Sequence, residues 1–253
     1  MMVGLTLTCR GVSKHFGGVL AVDDVSMEFV PGRVTGVMGA NGAGKSTLID
    51  LLTGVQAADK GQVWLDSQDI TTHSSSRRLR EGIGRTFQGM KLFTGMTAEE
   101  NVIACLPPLR RITLVAAFFQ SRRRIVTTLR NDAHQVLEKV GGEPLAMSAV
   151  DDLSYGDQKL VAIARTIAAD VKVLLFDEPF AGLDIDGVNR LSSIIRGLAT
   201  EGRTVGIIDH NVDAMVQLVD YVYMMDFGRV IASGSPPEVM RDPVVRAAYL
   251  GRE

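Results

Sequence analysis

Short apolar runs punctuated by turn residues recur along the chain: Val34–Met38, Val173–Phe176, Thr204–Ile208 and Tyr221–Met225. They are richer in Val and Ile than the segments between them, which predicts buried strands of a largely parallel sheet. Helically spaced stretches follow several of them, at Lys45–Thr53, Gly187–Leu198 and Val212–Leu218. Strand then helix, repeated, predicts an α/β layered fold. The middle of the chain differs. From about Thr97 to Ala168 the apolar spacing is mostly helical, with Ala133, Val136, Leu137 and Val140 on one face. Pro107-Pro108 and Gly141–Ala146 interrupt it. The expected organisation is a single domain over residues 1–253. In it a helical subdomain, residues 92–170, is inserted between core segments 1–91 and 171–253.

Composition narrows the class. The chain has 253 residues, 46% of them apolar, which is ample for one large core. Its formal charge of −2 gives no basic excess for a broad nucleic-acid surface, so nucleic acid is not an expected partner. Two cysteines, Cys9 and Cys105, are too few for a disulfide framework and suit a reducing compartment. The opening MMVGLTLTCRGVSKHFGG lacks the pattern of a signal peptide. ITLVAAFF (Ile112–Phe119) falls far short of the roughly 20 residues of a spanning helix, so the chain is expected to be soluble by itself. The basic run Arg122–Arg124 reads as a solvated helix face, with docking to a partner or to lipid headgroups as the other reading.

Residues 39–47 read GANGAGKST and fit G-x-x-x-x-G-K-[ST] in the right context, with the strand RVTGVM before and the helix STLIDLLTG after. Small residues let the backbone wrap around phosphate with its amides turned inward, and the helix N-terminus adds its positive end. Gly39, Asn41, Gly42, Ala43, Gly44, Lys45, Ser46 and Thr47 are therefore the expected ATP-binding loop. Lys45 is suited to the β- and γ-phosphates and the Ser46 hydroxyl to Mg²⁺. A glycine-rich turn with an incidental lysine is the competing reading. The run VLLFDEPFAGLD (Val173–Asp184) weighs against it, because its strand delivers Asp177 and Glu178 to the C-terminal tip, where ligands of open α/β sheets collect. Asp177 is suited to Mg²⁺, and Glu178 to polarising an attacking water.

With these motifs assembled, the chain resembles the ATP-binding subunit of an ABC (ATP-binding cassette) transporter over nearly its whole length. GANGAGKST, RTFQ ending at Gln88, LSYGDQ (Leu153–Gln158), VLLFDEP, AGLD (Ala181–Asp184) and IIDHN with His210 follow in the family's order. The resemblance implies a P-loop NTPase, RecA-like core with ABC antiparallel β strands and an inserted α-helical subdomain. It implies that Phe16 in KHFGG stacks on adenine; a buried Phe at a strand end is the alternative. It gives Gln88 a contact to Mg²⁺ and the attacking water, and His210 a hydrogen bond to the γ-phosphate. An ordinary loop amide and an ordinary surface or core histidine are the alternatives. It further implies that Ser154 and Gly156 of LSYGDQ, with Asp184, serve the ATP held by a second cassette, so that two cassettes close head to tail around two ATP molecules. Tyr155 and Asp157 depart from the common form of that motif, where Gly and Gln stand.

At subgroup level, Gly82–Val102, LSYG and Pro236–Gly251 resemble the ATPases of bacterial and archaeal importers of branched-chain and related hydrophobic amino acids. That implies a peripheral subunit on the cytoplasmic face of the membrane, using ATP and Mg²⁺. Its partners would be a like or different cassette, transmembrane permease subunits and, indirectly, an extracytoplasmic solute-binding protein. Urea or amide importers and lipopolysaccharide-export ATPases have similar cassettes. Non-transport cassette ATPases and a regulator that no longer hydrolyses are the alternatives of different class.

Overall fold

The computed structural model describes residues 4–86, 91–107 and 122–250, and the chain opens with antiparallel rather than parallel strands. β1 (Leu7–Phe16) pairs with β2 (Val19–Phe29) on one side and with β4 (Lys60–Leu65) on the other, and β5 (Gln68–Asp69) extends the sheet to four strands. The register shifts between Cys9 and Val12, so the inward alternation of Leu7 and Cys9 resumes out of phase at Val12.

The second sheet has six strands in the order β10-β9-β3-β8-β7-β6: Arg229–Gly234, Tyr221–Asp226, Val34–Gly39, Thr204–Ile208, Val173–Asp177 and Ile83–Thr86. β3 runs parallel to both β8 and β9, β7 runs parallel to β8, and β9 pairs antiparallel with β10. Every residue of β3, β7 and β8 is buried, which is why these strands read as unbroken apolar runs. Leu7, Val25 and Phe29 of the first sheet share one core with Val37, Val173 and Leu175 of the second, and Leu48 and Leu52 of α1 (Lys45–Thr53) join it.

The predicted bounds hold for α1, β8 and the helix at Val212–Leu218. β3, β7 and β9 each run one residue further than predicted. The helix predicted at Gly187–Leu198 spans Ile185–Thr200 instead. It starts earlier because the carboxylate of Asp184 accepts from the Gly187 N–H at 2.8 Å and so caps the first turn.

The chain divides into two compact units. One comprises Met1–Arg85, Lys172–Ala181 and Val188–Glu253, the other Thr86–Val171 and Gly182–Gly187. In the first, α2 (Ser75–Glu81) carries the fully buried Arg78. Its guanidinium donates to the carbonyls of Leu51 and Leu52 at the end of α1, and to those of Thr71 and His73. A planar fork of five donors thus satisfies the open carbonyls of the helix that begins at the phosphate loop. Burial pulls the guanidinium down to about 10, against the opposing charges of Glu81 and Asp69.

In the second unit, α3 (Ala98–Ile103), α4 (Arg122–Lys139) and α5 (Tyr155–Ala168) pack together. Thr97 and Glu100 form a reciprocal capping box at the start of α3. On α4, Ala133, Leu137 and, just past its end, Val140 are buried, with Val136 half-buried, as the periodicity predicts. Ile112–Phe119 and Pro108 lie outside the described residues, as do the side chains of Arg122–Arg124. Among the described residues no helix is long and apolar enough to cross a membrane. The C-terminal stretch completes the chain with α6 (Ile185–Thr200), α7 (Val212–Leu218), α8 (Pro236–Arg241) and α9 (Pro243–Leu250).

Candidate functional site

Three adjacent strands of the six-stranded sheet end level with one another. Val37 of β3 pairs with Ile208 of β8, and Asp177 of β7 pairs with that same Ile208. The GANGAGKST loop, the Asp177-Glu178 pair and the Asp209-His210 pair therefore all leave the sheet at the same carboxyl edge, where a parallel sheet places its ligands.

The loop's glycines have two different causes. A Cβ on Gly39 would stand 2.3 Å from the Met225 carbonyl of β9, and one on Gly44 2.2 Å from the Ala21 carbonyl of β2. These two are required by the protein's own strands, before any ligand is considered. Gly42 has φ +81, and a Cβ added to it would meet nothing within 4 Å, so the space beside it is left open by the fold. The loop is also pinned from outside, since Gly228 in the β9–β10 turn donates its N–H to the Ala43 carbonyl at 3.1 Å. Gly44→Ala is expected to lose about 2–4 kcal/mol of stability through the clash and its left-handed φ of +95. Gly42→Ala is expected to lose only about 1–2 kcal/mol through its φ. Urea unfolding of both variants without nucleotide checks the contrast, and equal losses would refute it.

Gly44 caps α1 without a side-chain bond, so the first-turn amides are offered to whatever sits in the loop. Lys45 is buried and donates its ammonium to the carbonyls of Gly39 at 2.8 Å and Ala40 at 2.9 Å. Burial holds it below the ordinary lysine value, opposed by the negative charges of Glu178, Asp177 and Asp209. Ser46 and Asn41 are exposed at the loop, and Thr47 is half-buried.

Asp177 is buried at the tip of β7. Burial pushes its carboxyl up, while Arg85, donating from Nη2 at 2.7 Å, draws it back. Glu178 follows with φ +47, an uncommon conformation for a residue with a Cβ. It is fixed by its N–H donating to the Ile208 carbonyl at 2.7 Å and by its carbonyl accepting from Ala181. His210 is exposed and lies 3.7 Å from the carboxylate of Asp209. Asn211, next in sequence, caps α7 by accepting from the Ala214 N–H.

Asp209 is a residue the sequence reading missed. It is completely buried and accepts from the Phe180 N–H and the Asn211 N–H, both at 2.9 Å. One carboxylate thereby fastens the loop after Glu178 to the loop carrying His210. The signal was present in IID, an acid closing an apolar strand as Asp177 does in LLFD.

Phe16 ends β1 as an exposed residue, 46% accessible, and the Lys14 ammonium lies 5.7 Å from the ring centroid. The ring is therefore presented to solvent and not buried. Gln88 lies outside the described residues. In the second unit, Ser154 caps α5 by accepting from the Asp157 N–H and donates its own hydroxyl to the Asp157 carboxylate at 2.7 Å. Gly156 lies in the first turn of that helix, and Asp184 caps α6.

A phosphate-sized loop at the head of a helix, with an acidic pair and a histidine on the neighbouring strand ends, defines a nucleoside-triphosphate-binding protein of the P-loop class. The profile of the ABC transporter family matches residues 22–181, and a profile described as a branched-chain amino acid ATP-binding cassette transporter matches residues 229–253. A probable ABC transporter ATP-binding protein of Azorhizobium caulinodans is 37% identical, covering 98% of this chain and 84% of that protein. The lipopolysaccharide export system ATP-binding protein LptB of Escherichia coli K12 is 34% identical over 98% of both chains. The high-affinity branched-chain amino acid transport ATP-binding protein LivG of the same strain is 32% identical over 97% of both. Among solved structures, a nucleotide-free ATP-binding cassette from an ABC transporter superposes with a TM-score of 0.84, at 32% identity over 97% of this chain and 98% of the other. The ADP conformation of the cassette MJ1267 gives 0.82 at 30% identity, over 100% of both chains.

The chain belongs to the ABC transporter family. It is the ATP-hydrolysing subunit of a transporter, with the cassette fold that the resemblance implies, built on the α/β core that its strand pattern predicts.

Proposed function

We propose that this subunit energises an importer of branched-chain or other hydrophobic amino acids. The observation that carries the reading is the specific match of the C-terminal segment, β10 through α9, to branched-chain amino acid cassettes, and the similarity to LivG supports it. The similarity to LptB favours lipopolysaccharide export as the second reading. Nothing in this subunit needs to touch cargo, so the C-terminal match acts only by association.

In the proposed site the amides of Gly39–Thr47 and the Lys45 ammonium hold the β- and γ-phosphates, and Phe16 stacks on the adenine. The Ser46 hydroxyl and the Asp177 carboxylate are the hard oxygen donors that Mg²⁺ takes alongside phosphate oxygens. A guanidinium already rests on Asp177, which supports a cation at this strand end, and Gln88 would be a further donor. The metal would neutralise charge developing on the transferred phosphoryl group. Glu178 accepts a proton from the attacking water, and His210 donates to the γ-phosphate. Ser154, Gly156 and Asp184 complete the site of a second cassette, so that ATP binding closes the pair and hydrolysis reopens it. Core segments 1–91 and 171–253 would carry the nucleotide, and segment 92–170 would relay the motion to permease subunits at the cytoplasmic face of the membrane. An extracytoplasmic binding protein would deliver the solute.

Vesicles reconstituted with this subunit and its candidate permeases are expected to accumulate labelled leucine when ATP and a leucine-loaded binding protein are supplied. Extraction of lipopolysaccharide without leucine uptake would move the assignment to the second reading.

A further inference from the structure

Arg85 lies in β6 between two carboxylates of the nucleotide-binding unit. Its Nη2 donates to Oδ2 of Asp177 at 2.7 Å, and its Nη1 donates to Oδ1 of Asp50 on α1. The guanidinium side chain is 12% exposed and that of Asp177 is 1% exposed, so the pair is shielded from water and poorly screened. Removing one member of such a pair strands the other charge, whereas adding a second cation beside the same carboxylate sets two positive charges against each other.

From this geometry we propose that Arg85 is a resident cation of the Asp177 carboxylate, a positioning residue with which the incoming divalent metal competes. The inference rests on the reading of Asp177 as a metal ligand given above. When nucleotide and metal are away, Arg85 neutralises Asp177 and ties β7 to α1 and β6. When the metal arrives, Asp177 is shared between two cations, and Asp50 keeps the guanidinium anchored while its hold on Asp177 loosens. The same side chain therefore raises the stability of the nucleotide-free protein and lowers its affinity for the metal. A purely structural arginine would do only the first. Arg85 also lies three positions before Gln88, so the chain segment that carries one metal-binding candidate carries the competitor of another.

The test is binding of Mn²⁺, followed by its electron paramagnetic resonance, in the presence of a non-hydrolysable ATP analogue, together with thermal unfolding in EDTA without nucleotide. Arg85→Gln is expected to bind Mn²⁺ about tenfold more tightly than the parent protein, the size of one relieved like-charge repulsion, and to unfold at a lower temperature in EDTA. Arg85→Lys, which offers a single point donor in place of the fork, is expected to fall between the two and carries the test should Arg85→Gln not fold. Mn²⁺ affinity that is unchanged or weaker in a folded Arg85 variant overturns the proposal. Asp177→Asn, measured alongside, separates the two ideas. If it leaves Mn²⁺ binding intact, the metal role of Asp177 fails and the competition fails with it. If it abolishes binding while Arg85→Gln gives no tightening, only the competition fails.

Discussion

Glu178→Gln is expected to lower the turnover of ATP by about 10²–10⁴-fold while nucleotide still binds. The substitution is nearly isosteric and removes the carboxylate's charge together with its capacity to accept a proton. The backbone that aims this side chain should survive it, because main-chain bonds to Ile208 and Ala181 hold the φ of +47. Lys45 loses one of the three negative charges that sustain its ammonium, but Asp177 and Asp209 remain. The phosphate grip is thereby largely preserved. In the proposed cycle the variant stalls after binding, so a closed dimer should accumulate with MgATP and be visible by size-exclusion chromatography with light scattering. A variant that stays monomeric with normal turnover would refute both the role of Glu178 and the sandwich built on it.

Arg78→Met is expected to be the most damaging single change to stability, at about 3–5 kcal/mol. Methionine fills much of the volume, but the carbonyls of Leu52, Thr71 and His73 then lose their guanidinium donor, and that of Leu51 keeps only the Gly54 N–H at 3.4 Å. Two of these end α1, so the damage falls on the helix whose other end forms the phosphate loop. Arg78→Lys should recover only part of the loss, since one ammonium cannot span acceptors arranged around a planar fork. Arg77, one position earlier, is the internal control. It is exposed and, among the described residues, its side chain pairs with Glu81, so Arg77→Ala should stay within about 0.5 kcal/mol of the parent. Urea unfolding of the three variants without nucleotide measures the contrast, and an Arg78→Met loss no larger than that of Arg77→Ala would dismiss the cap.

The contrast between Arg77 and Arg78 also shows what a sequence can and cannot convey. The parallel strands were legible because burial on both faces leaves no polar interruption, as in Val173–Phe176 and Thr204–Ile208. The phosphate loop and the acids of β7 were legible because their chemistry is local and their spacing short. The antiparallel sheet followed from family resemblance and not from pattern. The shifted register of β1 between Cys9 and Val12 breaks the alternation that would have announced a strand. Charged residues whose burial is decided by distant partners were illegible. Arg78 meets carbonyls 26 and 27 positions away, and Arg85 meets a carboxylate 92 positions away. Read along the chain, each looks like an ordinary surface charge. Only the folded neighbourhood removes the water around it.

The pinned phosphate loop has a consequence for fuel choice. A cradle made of main-chain amides, its course dictated by the strands at Ala21 and Met225, grips what adenosine and guanosine triphosphates have in common and has no means of reading a base edge. In the proposed site the solvent-facing ring of Phe16 adds a flat surface that any purine can cover. On that proposed reading, discrimination among purine triphosphates is expected to rest on their abundance in the cell, and comparable turnover of ATP and GTP would be the sign of it.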